Sequence, residues 1–199
     1  TTTANAVIVF RHLEFCKQCL KPDWDVHLIS TTDHWAQFAI AGPKSRKLLQ
    51  EICDPKIDIS NTKFPFMACA AITVLESIPA RLFRISFSGE LAYEIAVPRR
   101  YADFFVKRIS KIGKKYSLVP YGTEALGVMR IEKGHAAGNE LNGQTTAHNL
   151  DLGKMVSKLN DCVGNTMSER DELNKDDTLK LVGFIPTNKK LQLVAGSHF

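Results

Sequence analysis

Among the residues able to do chemistry, Glu94 has the most informative setting. The stretch LFRISFSGELAYEIAVP, residues 82–98, reads as a β-hairpin turning at Ser88-Gly89-Glu90. Side chains alternate faces along a strand. Phe83, Ile85 and Phe87 therefore share one face of the first strand, and Leu91, Tyr93, Ile95 and Val97 share one face of the second. A short loop containing Gly is a common hairpin connection, and it sets Phe87 opposite Leu91, so that the two apolar rows coincide. The other face then carries Ala92, Glu94 and Ala96. The small neighbours leave open volume around the carboxylate. A carboxylate accepts two parallel N–H bonds and so can read a ligand edge with two adjacent donors. The same register puts Glu94 opposite Arg84, where a cross-strand Arg–Glu pair would be an ordinary surface stabiliser. Both readings stand on the residues alone.

A second candidate is Arg130. It sits in the segment from Tyr121 to Lys133, which reads as a helix with Pro120 at its first turn. Ala125, Val128, Met129 and Ile131 cover one side and Leu126 the other, which predicts a buried helix. A buried guanidinium needs an acidic or carbonyl partner: a carboxylate of the protein, or an acidic ligand. The loop from Gly134 to Gly143 follows, glycine-spaced and long enough to wrap a ligand or a partner subunit. It matches neither a phosphate-binding loop nor a dinucleotide fingerprint. The six histidines are scattered, with only His135 of the glycine loop near a candidate site. Five cysteines include Cys16-Lys-Gln-Cys19, which lacks a second ligand pair at metal-binding spacing. No metal site and no catalytic residue is assigned from these patterns, and free thiols in a reducing cytoplasm are the expected state.

Composition narrows the classes. With 199 residues and 44% hydrophobic content, the chain can bury one sizeable core with a small appendage. The net charge of +5 suits an anionic small ligand or an acidic partner surface. It is too weak to imply nucleic acid, and aromatic residues are not interleaved with basic ones as single strands require. No apolar run reaches membrane-spanning length, and the N-terminus has no charged leader before its apolar stretch. It begins as if within an element, as a piece of something longer would.

The elements that must position Glu94 follow from periodicity. Residues 5–20 are helical in spacing and end at Lys21-Pro22-Asp23. Asp25–Thr32 and Trp35–Ala41 alternate as two strands. Gly42-Pro43 breaks the second, and Pro43 opens a helix through Ile52 whose stripe is Leu48, Leu49 and Ile52. Residues 54–65 are loop, Cys69–Leu75 a strand, and the hairpin follows. Tyr101–Ile112 is an amphipathic helix with Phe104, Phe105, Ile109 and Ile112 on adjacent turns. Residues 160–178 turn polar, as a linker. Leu179–Pro186 then reads as a strand opening a further module. The fold class expected is α+β, an antiparallel sheet with flanking helices.

Several blocks together carry a family resemblance: WAQFAIAGPKSR from Trp35, FPFMAC from Phe64, ARLFRISFSGELAYEI from Ala80, and PYGTEALGVMRIEKGHAAGNELNGQTT from Pro120. They resemble the aminomethyltransferase superfamily, and within it the C-terminal portion of heterotetrameric sarcosine oxidase α subunits, over nearly the whole chain. The resemblance implies a tetrahydrofolate-binding domain over residues 1–159, incomplete at its N-terminus, a linker over 160–178, and the start of a C-terminal β-barrel module over 179–199. It implies that Glu94 holds the pterin 2-amino group and ring N3–H, that Phe87 packs on the pterin, and that Arg130 approaches the acidic tail. The simple alternation sets Phe87 and Glu94 on opposite faces, in tension with a shared ligand.

The implied function is capture of the one-carbon unit from sarcosine demethylation as 5,10-methylenetetrahydrofolate. Flavins and NAD would belong to other domains or subunits, and the partners would be the β, γ and δ subunits in the cytoplasm. The family's catalytic aspartate has no counterpart among these residues, so the chain alone is expected to be inactive. Two rivals remain: an aminomethyltransferase of the glycine cleavage type working with a lipoyl carrier, which the Pro120–Thr146 block argues against, and a non-catalytic subunit-assembly module.

Overall fold

The structure, a computed structural model, describes residues 6–138, 140–141, 144–157 and 163–191. The chain divides into two compact units, residues 1–122 and 123–199.

The first unit is built on a four-stranded antiparallel sheet of β1 (Trp35–Ala41), β2 (Cys69–Val74), β3 (Ile78–Phe83) and β4 (Ala92–Pro98), in the order β1-β4-β3-β2. One face is the core. Ile40, Ile72, Val74, Ile78, Ala80, Leu82, Tyr93, Ile95 and Val97 point into it. Helix α2 (Ser45–Ile52) adds Leu48, Leu49 and Ile52, as its spacing predicts, and helix α3 (Ala102–Gly113) adds Phe105 and Ile109. Leu82 and Ile95 lie opposite each other, both fully buried. Burying a side chain of that size contributes about 1.5–3 kcal/mol. The Phe105 ring stacks on Phe38 of β1 at 5.3 Å between centroids, while Phe104, expected on the same stripe, is exposed. The antiparallel sheet with helices on it fits the α+β class.

Two expected elements of this unit differ. The N-terminal helix divides into α1 (Ala6–Phe15) and a π-helical turn (Cys16–Leu20), ending at Lys21 as expected. The expected strand at 25–32 does not form: residues 25–31 are irregular, with Trp24 and Ile29 exposed. Alternation alone makes no strand; a ladder partner is needed, and β1 pairs instead with β4.

The second unit contains α4 (Thr123–Lys133) and α5 (Val163–Ser168). Helix α4 is not the buried helix its composition predicts. None of its residues is buried, and Val128 and Ile131 stand exposed. The polar stretch expected as linker contains α5 and a 3-10 turn at Asp171–Leu173. The expected strand at 179–186 is not formed. Leu181 N–H bonds the Asn149 carbonyl at 2.7 Å, but no strand pairs with this segment among the described residues, and Leu179 and Ile185 are exposed. Among the described residues, no helix is long and apolar enough to cross a membrane.

Candidate functional site

Glu94 occupies the centre of the sheet face turned away from the core. Tyr93, Ile95 and Val97 are fully buried in the core, so alternation sends Ala92, Glu94 and Ala96 to the other side. Both neighbouring strands are in register there. Ala39 of β1 and Phe83 of β3 stand directly opposite Glu94. The carboxylate is thus flanked by three alanines, 39, 92 and 96, and by one aromatic ring, and it is half-buried.

The expected hairpin register is off by one residue. Arg84 does not face Glu94; Phe83 does. The cause is that the two strands part before a tight turn can form. Arg84 stays with the β2 side, its N–H donating to the Ala68 carbonyl at 2.8 Å and its carbonyl accepting from Met67 N–H at 2.9 Å. Leu91 stays with the β1 side, its carbonyl accepting from Gly42 N–H at 2.9 Å and from the Ser45 hydroxyl at 2.8 Å. Residues 84–91 span the gap, with Gly89 at φ +83°, a left-handed conformation that costs glycine little. A one-residue slip exchanges the faces of the partner strand. Phe83, expected in the apolar row, is therefore beside Glu94, and Leu82 is in the core. The Arg84–Glu94 pair that competed with the ligand reading is absent: the Arg84 guanidinium donates to Asn61 Oδ1 at 2.8 Å and to the Phe64 carbonyl at 2.9 Å.

Two residues that sequence reasoning passed over touch this carboxylate electrostatically. Gln37, on β1, donates from Nε2 to Glu94 Oε2. The signal was a single polar side chain within the apolar strand WAQFAIA. Tyr121 is the other. Burial pushes its phenol pKa up, and the negative charge of nearby Glu94 pushes it further. Its position just after Pro120 had been read as helix, whereas α4 begins at Thr123. Glu94 Oε1 accepts no hydrogen bond among the described residues, so one oxygen is held and the other is available. The free carboxylate oxygen is an acceptor that suits a flat ring presenting N–H groups, with Phe83 as an apolar flank.

Phe87 lies in the connection between β3 and β4 rather than on a strand and is 37% exposed. The tension between its face and that of Glu94 therefore lapses, because strand alternation does not apply to it. Arg130 belongs to the second unit. It is half-buried and meets an acid of the protein: its Nη1 donates to Glu140 Oε2 at 2.9 Å. Glu140 also accepts from Ala137 N–H at 2.8 Å, and that backbone bond, then Arg130, holds its carboxyl below the ordinary range. A concavity lined by Trp35, Ala71, Thr73, Pro79 and Arg81 lies farther along the sheet, with the Arg81 guanidinium 4.1 Å above the Trp35 ring; Glu94 is not among its lining residues.

The remaining titratable candidates do not gather into a site. Among the described residues no three His, Cys, Asp or Glu side chains are arranged to hold a metal. Cys16 and His12 approach at 3.5 Å on one helix face, without a third ligand. Cys16, Cys19, Cys53 and Cys69 are free thiols, and Cys162 lies outside the described residues.

Sequence comparison agrees with this architecture. Residues 1–160 match the family described as the GCVT N-terminal domain, and the chain belongs to that family. More particularly, it is similar to sarcosine oxidase subunit alpha of Rhizobium meliloti (strain 1021), 48% identical over 100% of this chain and 20% of that protein. It is 36% identical to sarcosine oxidase subunit alpha of Corynebacterium sp. (strain U-96), over 99% of this chain and 20% of that one. An aminomethyltransferase of Thermoanaerobacter sp. (strain X514) is 34% identical over 62% of this chain and 33% of its own length. The chain thus spans about one fifth of the sarcosine oxidase subunits it resembles.

Proposed function

We propose that this chain is the tetrahydrofolate-binding portion of a sarcosine-oxidase-type α subunit, with Glu94 as the pterin anchor. The observation that carries the reading is the half-buried Glu94 carboxylate on the sheet face turned away from the core, one oxygen held by Gln37 and the other without a donor among the described residues. A pterin edge presents a 2-amino group beside a ring N3–H. Glu94 would accept both, and charge-assisted bonds of this kind are the stronger class. In this reading Phe87 packs on the ring.

The reaction proposed is capture of the one-carbon unit released by oxidation of sarcosine, giving 5,10-methylenetetrahydrofolate. The folate, when bound, supplies the nitrogen nucleophiles. The protein residues hold it in place, which lowers the entropic barrier of joining two reactants. Oxidation would occur at flavin in another subunit, and β, γ and δ subunits would be the partners. Residues 1–159 would form the folate domain and 160–178 its connection to residues 179–199. We propose a cytoplasmic setting.

Calorimetric titration with a stable tetrahydrofolate analogue tests the reading, on the full-length protein and on this chain. Glu94→Gln keeps the shape but turns one acceptor into a donor facing the pterin donors. Weakening by tenfold or more, about 1.4 kcal/mol, is expected. Equal affinity in parent and variant would remove Glu94 from the site.

A further inference from the structure

On the core side of the same sheet, away from Glu94, two guanidiniums meet at one amide oxygen. Arg46, on α2, donates from Nη2 to Asn61 Oδ1 at 3.4 Å and from Nε to the Tyr93 hydroxyl at 2.7 Å. Arg84 donates from Nη1 to the same Asn61 oxygen at 2.8 Å and to the Phe64 carbonyl at 2.9 Å. Its guanidinium carbon lies 5.7 Å from the Tyr93 ring centroid. Both arginines are half-buried, while Asn61 is exposed and opens the cluster to solvent.

Every acceptor in this cluster is neutral. Among the described residues no carboxylate lies within ion-pair distance of either arginine. Two like charges drawn to one atom repel each other, and half-buried charges are ordinarily balanced by an opposite one. A guanidinium also has five N–H donors in a planar fork. The contacts above use one donor nitrogen of Arg84 and two of Arg46. Spare donors, uncompensated charge and a solvent opening coincide.

We infer that Arg46, Arg84 and Asn61 form a binding site for a compact oxyanion, the phosphate or carboxylate group of a small ligand. The anion would enter beside Asn61 and bridge the two guanidiniums, whose forks match tetrahedral and planar oxyanions alike. The site is separate from Glu94, because Tyr93 and Glu94 are successive residues of β4 and face opposite sides of the sheet.

The test follows the side-chain Nε–H signals of Arg46 and Arg84 by NMR in the full chain. Inorganic phosphate and then acetate are titrated at constant ionic strength in chloride. A saturable shift with either anion in the millimolar range is expected, and acetate separates a carboxylate site from one selective for phosphate. Asn61→Asp puts a carboxylate between the guanidiniums without removing either. It should weaken anion binding at least tenfold and raise the melting temperature. Arg46→Leu, checked for folding, should abolish the saturable shift at Arg84. No saturable shift with either anion, or unchanged binding in Asn61→Asp, would overturn the site.

Discussion

The contact between Gln37 and Glu94 makes the proposed pterin anchor separable from a mere surface pair. Gln37 is exposed and donates one hydrogen bond to a half-buried carboxylate. Hydrogen bonds to charged groups are worth about 1.5–3 kcal/mol. Solvent replaces part of that at an exposed position, which leaves about 1 kcal/mol for holding Glu94 in one orientation. Gln37→Leu should therefore weaken a tetrahydrofolate analogue about fivefold, with the fold intact by circular dichroism. In a Glu94→Gln background the same change should cost less than about twofold, because residues in contact couple rather than add. The exchanged pair, Gln37→Glu with Glu94→Gln, keeps an amide–carboxylate hydrogen bond but moves the charge to β1. It should recover thermal stability and fail to recover affinity in calorimetric titration. If the exchanged pair binds like the parent, the position of the carboxylate on β4 does not matter, and the anchoring role of Glu94 is wrong. If Gln37→Leu binds like the parent while Glu94→Gln does not, only the orienting role of Gln37 fails.

Other consequences are independent of ligand. Phe105→Ala removes a fully buried ring stacked on Phe38 and should cost about 3–5 kcal/mol in urea unfolding. The β2–β3 turn holds Leu75 at φ +48° and Glu76 at φ +73°; Glu76→Gly should raise stability by up to about 1 kcal/mol in the same assay, by removing the left-handed penalty. Burial raises the Cys53 thiol to about 11, whereas Cys69 is exposed on β2. Near pH 8, ~3 units below that value, iodoacetamide should label Cys69 and leave Cys53 unmodified by mass spectrometry until the chain unfolds, since only the thiolate reacts.

Much of this unit was legible because its elements carry strong periodicity. The stripe Leu48, Leu49, Ile52 and the alternation Tyr93, Ile95, Val97 each name a buried face without outside information, and both are buried. Residues 25–32 alternate too, yet remain irregular, because alternation specifies a face and not a partner. Helix α4 shows the converse. Its apolar residues called for burial, but none is buried here, and a helix apolar on all sides is covered only if neighbours reach every side. The partner of Arg130 was foreseen as a carboxylate or a ligand. The choice of Glu140 depended on how the loop after α4 folds back, which glycine spacing does not encode.

Glu94 shows why a misread turn left the candidate site in place. The face of a residue on β4 is set by the buried residues beside it, Tyr93 and Ile95, and those lie within its own strand. Its neighbours across the sheet depend on where β3 stops, and that is decided by remote bonds: Arg84 to Ala68 and Met67 on one side, Leu91 to Gly42 and Ser45 on the other. The slip of one residue exchanged Arg84 for Phe83 beside Glu94. A cation opposite would have neutralised the carboxylate and used its lone pairs. An aromatic ring opposite uses none and lowers the local dielectric, which strengthens any charge-assisted bond made there. The correction in register therefore favours ligand recognition by Glu94 over an internal pair with Arg84, although the tight turn that first suggested recognition does not exist.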